Sequence, residues 1–415
     1  MALNKEQKLT ARCANLKQTA AITEEISWLI RQKPDWQKVV AEAISQGVAS
    51  LVYYNLSRLK TKQPIPLNIL NELKTYYLDT MGRNIVLFEE LKKAMLLLQQ
   101  EEINAVVLKG PALVATTHKN WGLRWIGDID LLVPIDDIFK AKECLADHGY
   151  VNNKKNKSVL NDDISRHHHL QPLWNIDSRI RIELHWSLTT SKLYEINLQE
   201  IWDRVTTGCM DDIDLLVLSP EDMLLHFCVH HCYGQVKHIY YKFVYDIAVI
   251  IQYHGHAINW SRFVKNIIKY KTSAPVLIGL NLAKQLFGVD IPTNVFNILE
   301  AHHEDSQLMY FNIRKAYTGK SSVVELLENE NLPAKIRFVW QKFFPSIESL
   351  SVRFSTPRNS KFIYFLYLVR PVQLVKDHTL IALKLLFIIV SKKIKSRTTK
   401  TRLTPMTFLH HSNTE

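Results

Sequence analysis

Apolar positions recur at helical spacing through most of the first hundred residues. Val39, Val40, Ala43, Ile44 and Val48 follow Asp35-Trp36. After a break at Thr61 to Pro66 come Ile69, Leu70, Leu73, Tyr76, Tyr77, Ile85, Leu87, Leu91 and Met95. A period near 3.6 predicts amphipathic helices, so residues 1–102 are expected to form a helical region. The pattern then changes. Val106 to Leu108 is a short, β-branched apolar run, which predicts a buried strand; Lys109-Gly110 ends it, and Pro111 is expected at the first position of a helix, where no N–H is needed. Gly127 to Val133 and Arg179 to Trp186 predict two more strands, with Asp136 to His148 a helix between them. Residues 103–218 are therefore read as an α/β core. Ser219-Pro-Glu-Asp222 is a helix N-cap pattern that opens a second helical region, residues 219–345. Residues 346–415 form a basic, apolar tail. The expected fold class is α/β (α+β), a small mixed-sheet core flanked by N-terminal and C-terminal helical regions.

Strand periodicity turns these elements into chemistry. Residues two apart share a face, so Asp128 and Asp130 project together while Ile129 and Leu131 face the core. On the other strand, Arg181, Glu183 and His185 share a face. Neighbouring carboxylates repel unless something neutralises them, and a hard divalent cation is the usual solution. Before them, strand, Gly turn and helix N-terminus present free N–H groups to an anion, with Lys109 alongside. Three carboxylates from two strands, facing a phosphate-binding turn, meet the needs of two-metal phosphoryl transfer.

These stretches resemble the nucleotidyltransferase superfamily typified by the palm of DNA polymerase beta. More closely, Leu108-Lys109-Gly110, Arg124 to Val133 and Glu183 to Trp186 resemble a broad bacterial family of uncharacterised nucleotidyltransferases. The resemblance runs from about Trp28 to about Pro345, including Leu218 to His226 and Tyr245-Asp246. It implies transfer of a nucleoside monophosphate from a nucleoside triphosphate, ATP among them, to a hydroxyl or phosphate of a small-molecule or protein acceptor. The cofactor implied is Mg2+, as two ions, with Mn2+ as an alternative. Asp128, Asp130 and Glu183 would be catalytic residues and metal ligands; Lys109, Gly110, Arg124 and Gly127 would bind the nucleotide. His185, His168 and Lys242 are acceptor-side candidates. Where the wider superfamily has Gly-Gly or Gly-Ser in the turn, this chain has Lys109-Gly110, which makes Lys109 the expected phosphate contact.

Charge placement narrows the partner. Of the net +12, the stretch from Ser351 carries +10, from 12 Lys/Arg against Asp377 and Glu415; the remainder holds 40 basic and 38 acidic residues. A groove for long nucleic acid would carry its basic excess within the folded domain, so the balance favours a small acceptor over nucleic acid. Five cysteines without disulfide-scaffold spacing fit a reducing, cytoplasmic compartment. The apolar runs Phe362 to Val369 and Thr379 to Val390, followed by six basic residues between Lys392 and Arg402, leave two readings. One is a peripheral contact with an anionic membrane; the other is a buried core helix with a solvated tail. Two further functions stay open, a catalytically inactive nucleotide-binding module and a membrane-associated accessory protein of a surface-polysaccharide or peptide-product pathway.

Three repeats or clusters invite a second site. Asp212-Ile-Asp-Leu-Leu-Val217 repeats the Asp128 hexapeptide, but no Gly turn precedes it, so it is read as an edge strand with exposed aspartates. His167, His168 and His169 cannot all bind one ion, because consecutive strand residues alternate faces. A turn centred on Asp177-Ser178 pairs Leu170 with His185 and puts His168 on the catalytic face; a one-residue slip puts His167 and His169 there. His226 and His230 stand one helical turn apart and read as packing, while Lys242 and Asp246 have the spacing of an i,i+4 ion pair.

Overall fold

Helices form where the sequence supplies both an apolar stripe and a cap. In a computed structural model of the chain, which describes residues 3–60, 63–152, 167–189, 194–210, 213–234 and 240–302, Asn4 begins α1 (Lys5–Cys13) with a reciprocal capping box to Gln7. Thr19 caps α2 (Ala20–Arg31), and Asp35 caps α3 (Trp36–Ser45) as its spacing predicts. Next come α4 (Ala49–Leu56) and a 34-residue α5 (Leu67–Gln100). Along α5 the buried stripe includes Ile69, Leu73, Leu87 and Leu91, whereas Tyr76 and Ile85 face outward.

The sheet comes next. β1 (Val106–Val107) leads into α6 (Lys109–Thr116), which starts two residues before Pro111. Proline still fits there, since the amides of a first turn have no intrahelical acceptor. β2 (Ile129–Leu132) is followed by a 3-10 turn, α7 (Ile138–Asp147) and β3 (Tyr150–Val151). β4 (Leu173–Asn175) and β5 (Arg181–His185) form a hairpin, and after α8 (Leu198–Trp202) come β6 (Thr206–Met210) and β7 (Ile213–Val217). The order is β3-β4-β5-β2-β1-β7-β6. β2 runs antiparallel to β1 and parallel to β5, with Asp130 opposite Glu183.

The expected mixed-sheet core with flanking helices is present. One strand is placed differently. The repeated hexapeptide forms β7, which is not an edge, because β1 pairs with one side of it and β6 with the other. β6 is the edge strand, and its Thr206-Thr207-Gly208 start carries too little apolar signal to reveal it in advance. Asp214 is exposed as expected, and Asp212 lies outside the described residues.

Five helices follow: α9 (Pro220–Gly234), α10 (Tyr241–His254), α11 (Trp260–Lys269), α12 (Ser273–Phe287) and α13 (Thr293–Ala301). Ser219 accepts from the Asp222 amide at 3.2 Å, completing the N-cap read from the sequence. The first helical region also meets α12. Asn15 donates to the Phe287 carbonyl at 2.8 Å and Arg12 to that of Leu286 at 2.8 Å. No described helix is long and apolar enough to cross a membrane. The tail read as anchor or core helix lies outside the described residues, as do residues 303–345 of the second helical region.

Candidate active site

β2 and β5 bring two of the three expected carboxylates, Asp130 and Glu183, side by side. Asp130, at 1% exposure, has Oδ1 2.9 Å from Lys109 Nζ and 2.8 Å from His185 Nε2. Glu183 Oε2 stands 3.7 Å from the same His185 nitrogen. One donor atom from each of Asp130, Glu183 and His185 lies within 4.8 Å of the others, the only such cluster among the described residues. The second Asp130 oxygen, Oδ2, is buried with no hydrogen-bond partner, as is His185 Nδ1. An orphaned carboxylate oxygen beside a second carboxylate and an imidazole suits a divalent cation. The residues present therefore fit the metal that the carboxylate pattern implies.

Electrostatics pushes the two acids apart. Burial alone would raise the Asp130 carboxyl, but Lys109 and the His185 hydrogen bond outweigh it and hold its pKa well below the ordinary value. Glu183 goes the other way, raised by burial and by the neighbouring Asp130 charge. Burial lowers His185 to about 4 despite its bond to Asp130, so the ring is neutral at pH 7. A neutral ring keeps a lone pair for a cation, and the partnerless Nδ1 can carry the proton when Nε2 turns that pair inward.

The remaining candidates are placed as follows. Asp128 is bound by the Arg181 guanidinium, whose Nε also lies 3.4 Å from Glu183 Oε1. Lys109, with a left-handed φ of 51°, turns its ammonium onto Asp130. Arg124 is buried and clamps Asp246 with two bonds, Nε to Oδ1 at 2.6 Å and Nη2 to Oδ2 at 2.7 Å. That clamp joins the loop before β2 to α10 and displaces the expected Lys242–Asp246 pair. Gly110 lies against this arginine; a Cβ there would meet Arg124 Nη1 at 2.3 Å, so the glycine is what lets the guanidinium pass the start of α6. Gly127 similarly leaves room for the Trp125 indole, at 3.1 Å from a built Cβ.

The histidine question resolves through a register shift. β4 and β5 keep the predicted pairing, Leu173 to Ile182 and Trp174 to Arg181. Past Pro172, which has no N–H to give the ladder, the pairing slips by one, and His169 bridges His185. His169 Nδ1 lies 4.0 Å from Glu183 Oε2. His168 remains adjacent, its ring 5.1 Å from that of His185, and burial followed by the His185 and His169 charges lowers it to about 2. From α9, His226 and His230 pack with ring centroids 5.9 Å apart. Burial and the Lys109 charge keep both well below the usual histidine range.

Several participants give no simple sequence signal. Arg83 of α5 donates to the carbonyls of Ile126 (3.2 Å) and Gly127 (2.8 Å). Its neighbour Asn84, fully buried, donates to those of Trp121 and Arg124, both at 2.7 Å. Together they fix the loop that delivers Asp128. Asn84 does occupy the stripe shared by Leu73, Leu87 and Leu91, and a polar residue at a core position signals a buried partner.

A search of curated proteins finds no match to the chain. Residues 32–288 match the family described as uncharacterised nucleotidyltransferase. That stretch spans more than half of the chain and holds every carboxylate, histidine and loop contact described above, and the chain therefore belongs to this nucleotidyltransferase family.

Proposed function

We propose that the protein transfers a nucleoside monophosphate from a nucleoside triphosphate to a hydroxyl or phosphate of a small-molecule acceptor, the acceptor oxygen bonding the α-phosphorus as pyrophosphate leaves, with a divalent cation held by Asp130, Glu183 and His185. The observation that carries this reading is the convergence of those three donors around the partnerless Asp130 Oδ2. Magnesium or manganese bound there would polarise the reacting phosphoryl oxygen and acidify the acceptor hydroxyl. Asp130, held ionised, supplies a permanent negative ligand. Glu183, the second carboxylate ligand, is raised and partly exposed, so its oxygen turned away from the cation is suited to take the acceptor proton. Lys109 offsets the carboxylate charge before a cation arrives. Release of Asp128 from Arg181 would supply the donor for a second ion.

The test is incubation with each labelled nucleoside triphosphate and Mg2+ or Mn2+, followed by mass spectrometry of small-molecule and protein fractions. An added nucleoside monophosphate, absent with the Asp130→Asn variant, is the expected result. Nucleotide binding without turnover under every metal and acceptor fraction would support the inactive-module reading instead.

A further inference from the structure

Two of the cations nearest the Gly127-Asp128 turn lack a carboxylate partner. Lys109 is engaged by Asp130, Arg124 by Asp246 and Arg181 by Asp128. Lys242 and Arg83 are different. Among the described residues no carboxylate lies within ion-pair distance of either, and the bonds of Arg83 go to backbone carbonyls, which leave its charge uncancelled. Lys242 Nζ and Arg83 Cζ each lie 5.3 Å from the ring centroid of Trp125, an indole 48% exposed.

Lys242 is also held in place. Its backbone N–H donates to the Gln46 carbonyl at 3.1 Å. Its stem packs where Gly47, at φ 69°, has no side chain, with Cδ 3.2 Å from a built Cβ. A pinned, partly buried ammonium without a counter-ion costs free energy that an anionic ligand would recover. We infer that Lys242 and Arg83, set against Trp125, form the subsite for the terminal phosphates of the nucleotide. The inference rests on the nucleotidyl-transfer reading and deepens it. It assigns the triphosphate tail to α5, the loop before β2 and α10, where the sequence pointed to Lys109 and Arg124. Burial, reinforced by the Arg124 charge, lowers Lys242 to about 8, the direction expected of a cation awaiting an anion.

The shared chemistry is a phosphoanion, which a nucleotide or a phosphorylated acceptor could supply, and calorimetry separates them. The full chain and its Lys242→Met, Lys242→Arg and Arg83→Gln variants are titrated with ATP, AMP and inorganic tripolyphosphate, each with Mg2+. Lys242→Met is expected to weaken ATP and tripolyphosphate by about tenfold or more, the worth of one charge-assisted hydrogen bond. AMP should bind it as it binds the unchanged chain, and Lys242→Arg should restore most of the loss. Unchanged ATP affinity in a folded Lys242→Met, or an equal loss for AMP, overturns the assignment. Loss of tripolyphosphate alone overturns it in favour of an acceptor phosphate. If Lys242→Met fails to fold by thermal melt, Arg83→Gln and Trp125→Leu carry the same comparison. Should the unchanged chain bind tripolyphosphate through Lys242 but no nucleotide, the transfer reading fails while the anion subsite stands.

Discussion

Asp130 concentrates more of the site than any other side chain, touching Lys109 and His185 while keeping one oxygen unpaired. Asp130→Asn keeps the volume and removes the charge, so transfer should fall by about three orders of magnitude or more while the fold survives. Asp214→Asn on the exposed face of β7 should leave kcat unchanged, and equal damage at both positions would move the site to the repeated hexapeptide. The pairing of Asp130 with Glu183 was legible from period-two spacing, but not that His185 joins their cluster while Asp128 is taken up by Arg181. Which cation meets which acid was not legible either, because Lys109, Arg124 and Arg181 all lie near the same turn and only the folded geometry allots them. Gly110 illustrates the point. It reads as a phosphate-binding turn, and the fold adds that it makes room for Arg124. Gly110→Ala should therefore lower the thermal midpoint, costing about 1–3 kcal/mol as an overpacking change. A variant that melts like the unchanged protein while losing nucleotide affinity would show that the glycine serves the ligand alone.

Between elements, the Arg124–Asp246 clamp fastens the loop before β2 to α10. Burial would raise the Asp246 carboxyl, but Arg124, with help from His231, holds it at about 2. A carboxyl depressed in the fold stabilises it above the unfolded pKa, near 3.8, and that contribution fades as pH falls toward 2. Asp246→Asn should destabilise the protein at neutral pH by about 3–5 kcal/mol, because it strands a buried guanidinium. Urea unfolding across pH 2 to about 7 should show the difference from the unchanged protein shrinking at the acid end. A constant difference would mean that the pair contributes packing rather than charge. This clamp was hidden in the sequence, where Asp246 looked closer to Lys242, one helical turn away, than to an arginine 122 positions earlier. The β4–β5 register was half legible. Turn chemistry at Asn175 fixed the pairing beside the turn, and Pro172 broke it before the histidines, so the open choice between His168 and His169 ends in favour of the slipped register.

For the molecule as a whole, the α/β core does not contain all of its own supports. Arg83 and Asn84 reach it from α5, and Asp246 from α10. An excised fragment of residues 103–218 keeps Asp128, Asp130 and Glu183 but should show neither a cooperative melt nor metal binding. Residues 3–302 are expected to retain both, and a folded, metal-binding 103–218 fragment would show that the helices are dispensable. The general architecture was visible in the shift from helical to strand periodicity, since each region is long enough for its period to register. Contacts that cross from helix to core leave no periodic trace. The span of the Arg124–Asp246 bond also sets an order of events during synthesis. A ribosome that has just delivered β7 has already released the whole acidic cluster, yet the arginine beside it still awaits an acceptor that is part of a later helix. If the proposed transfer holds, chemistry at this centre would begin only after α10 emerges.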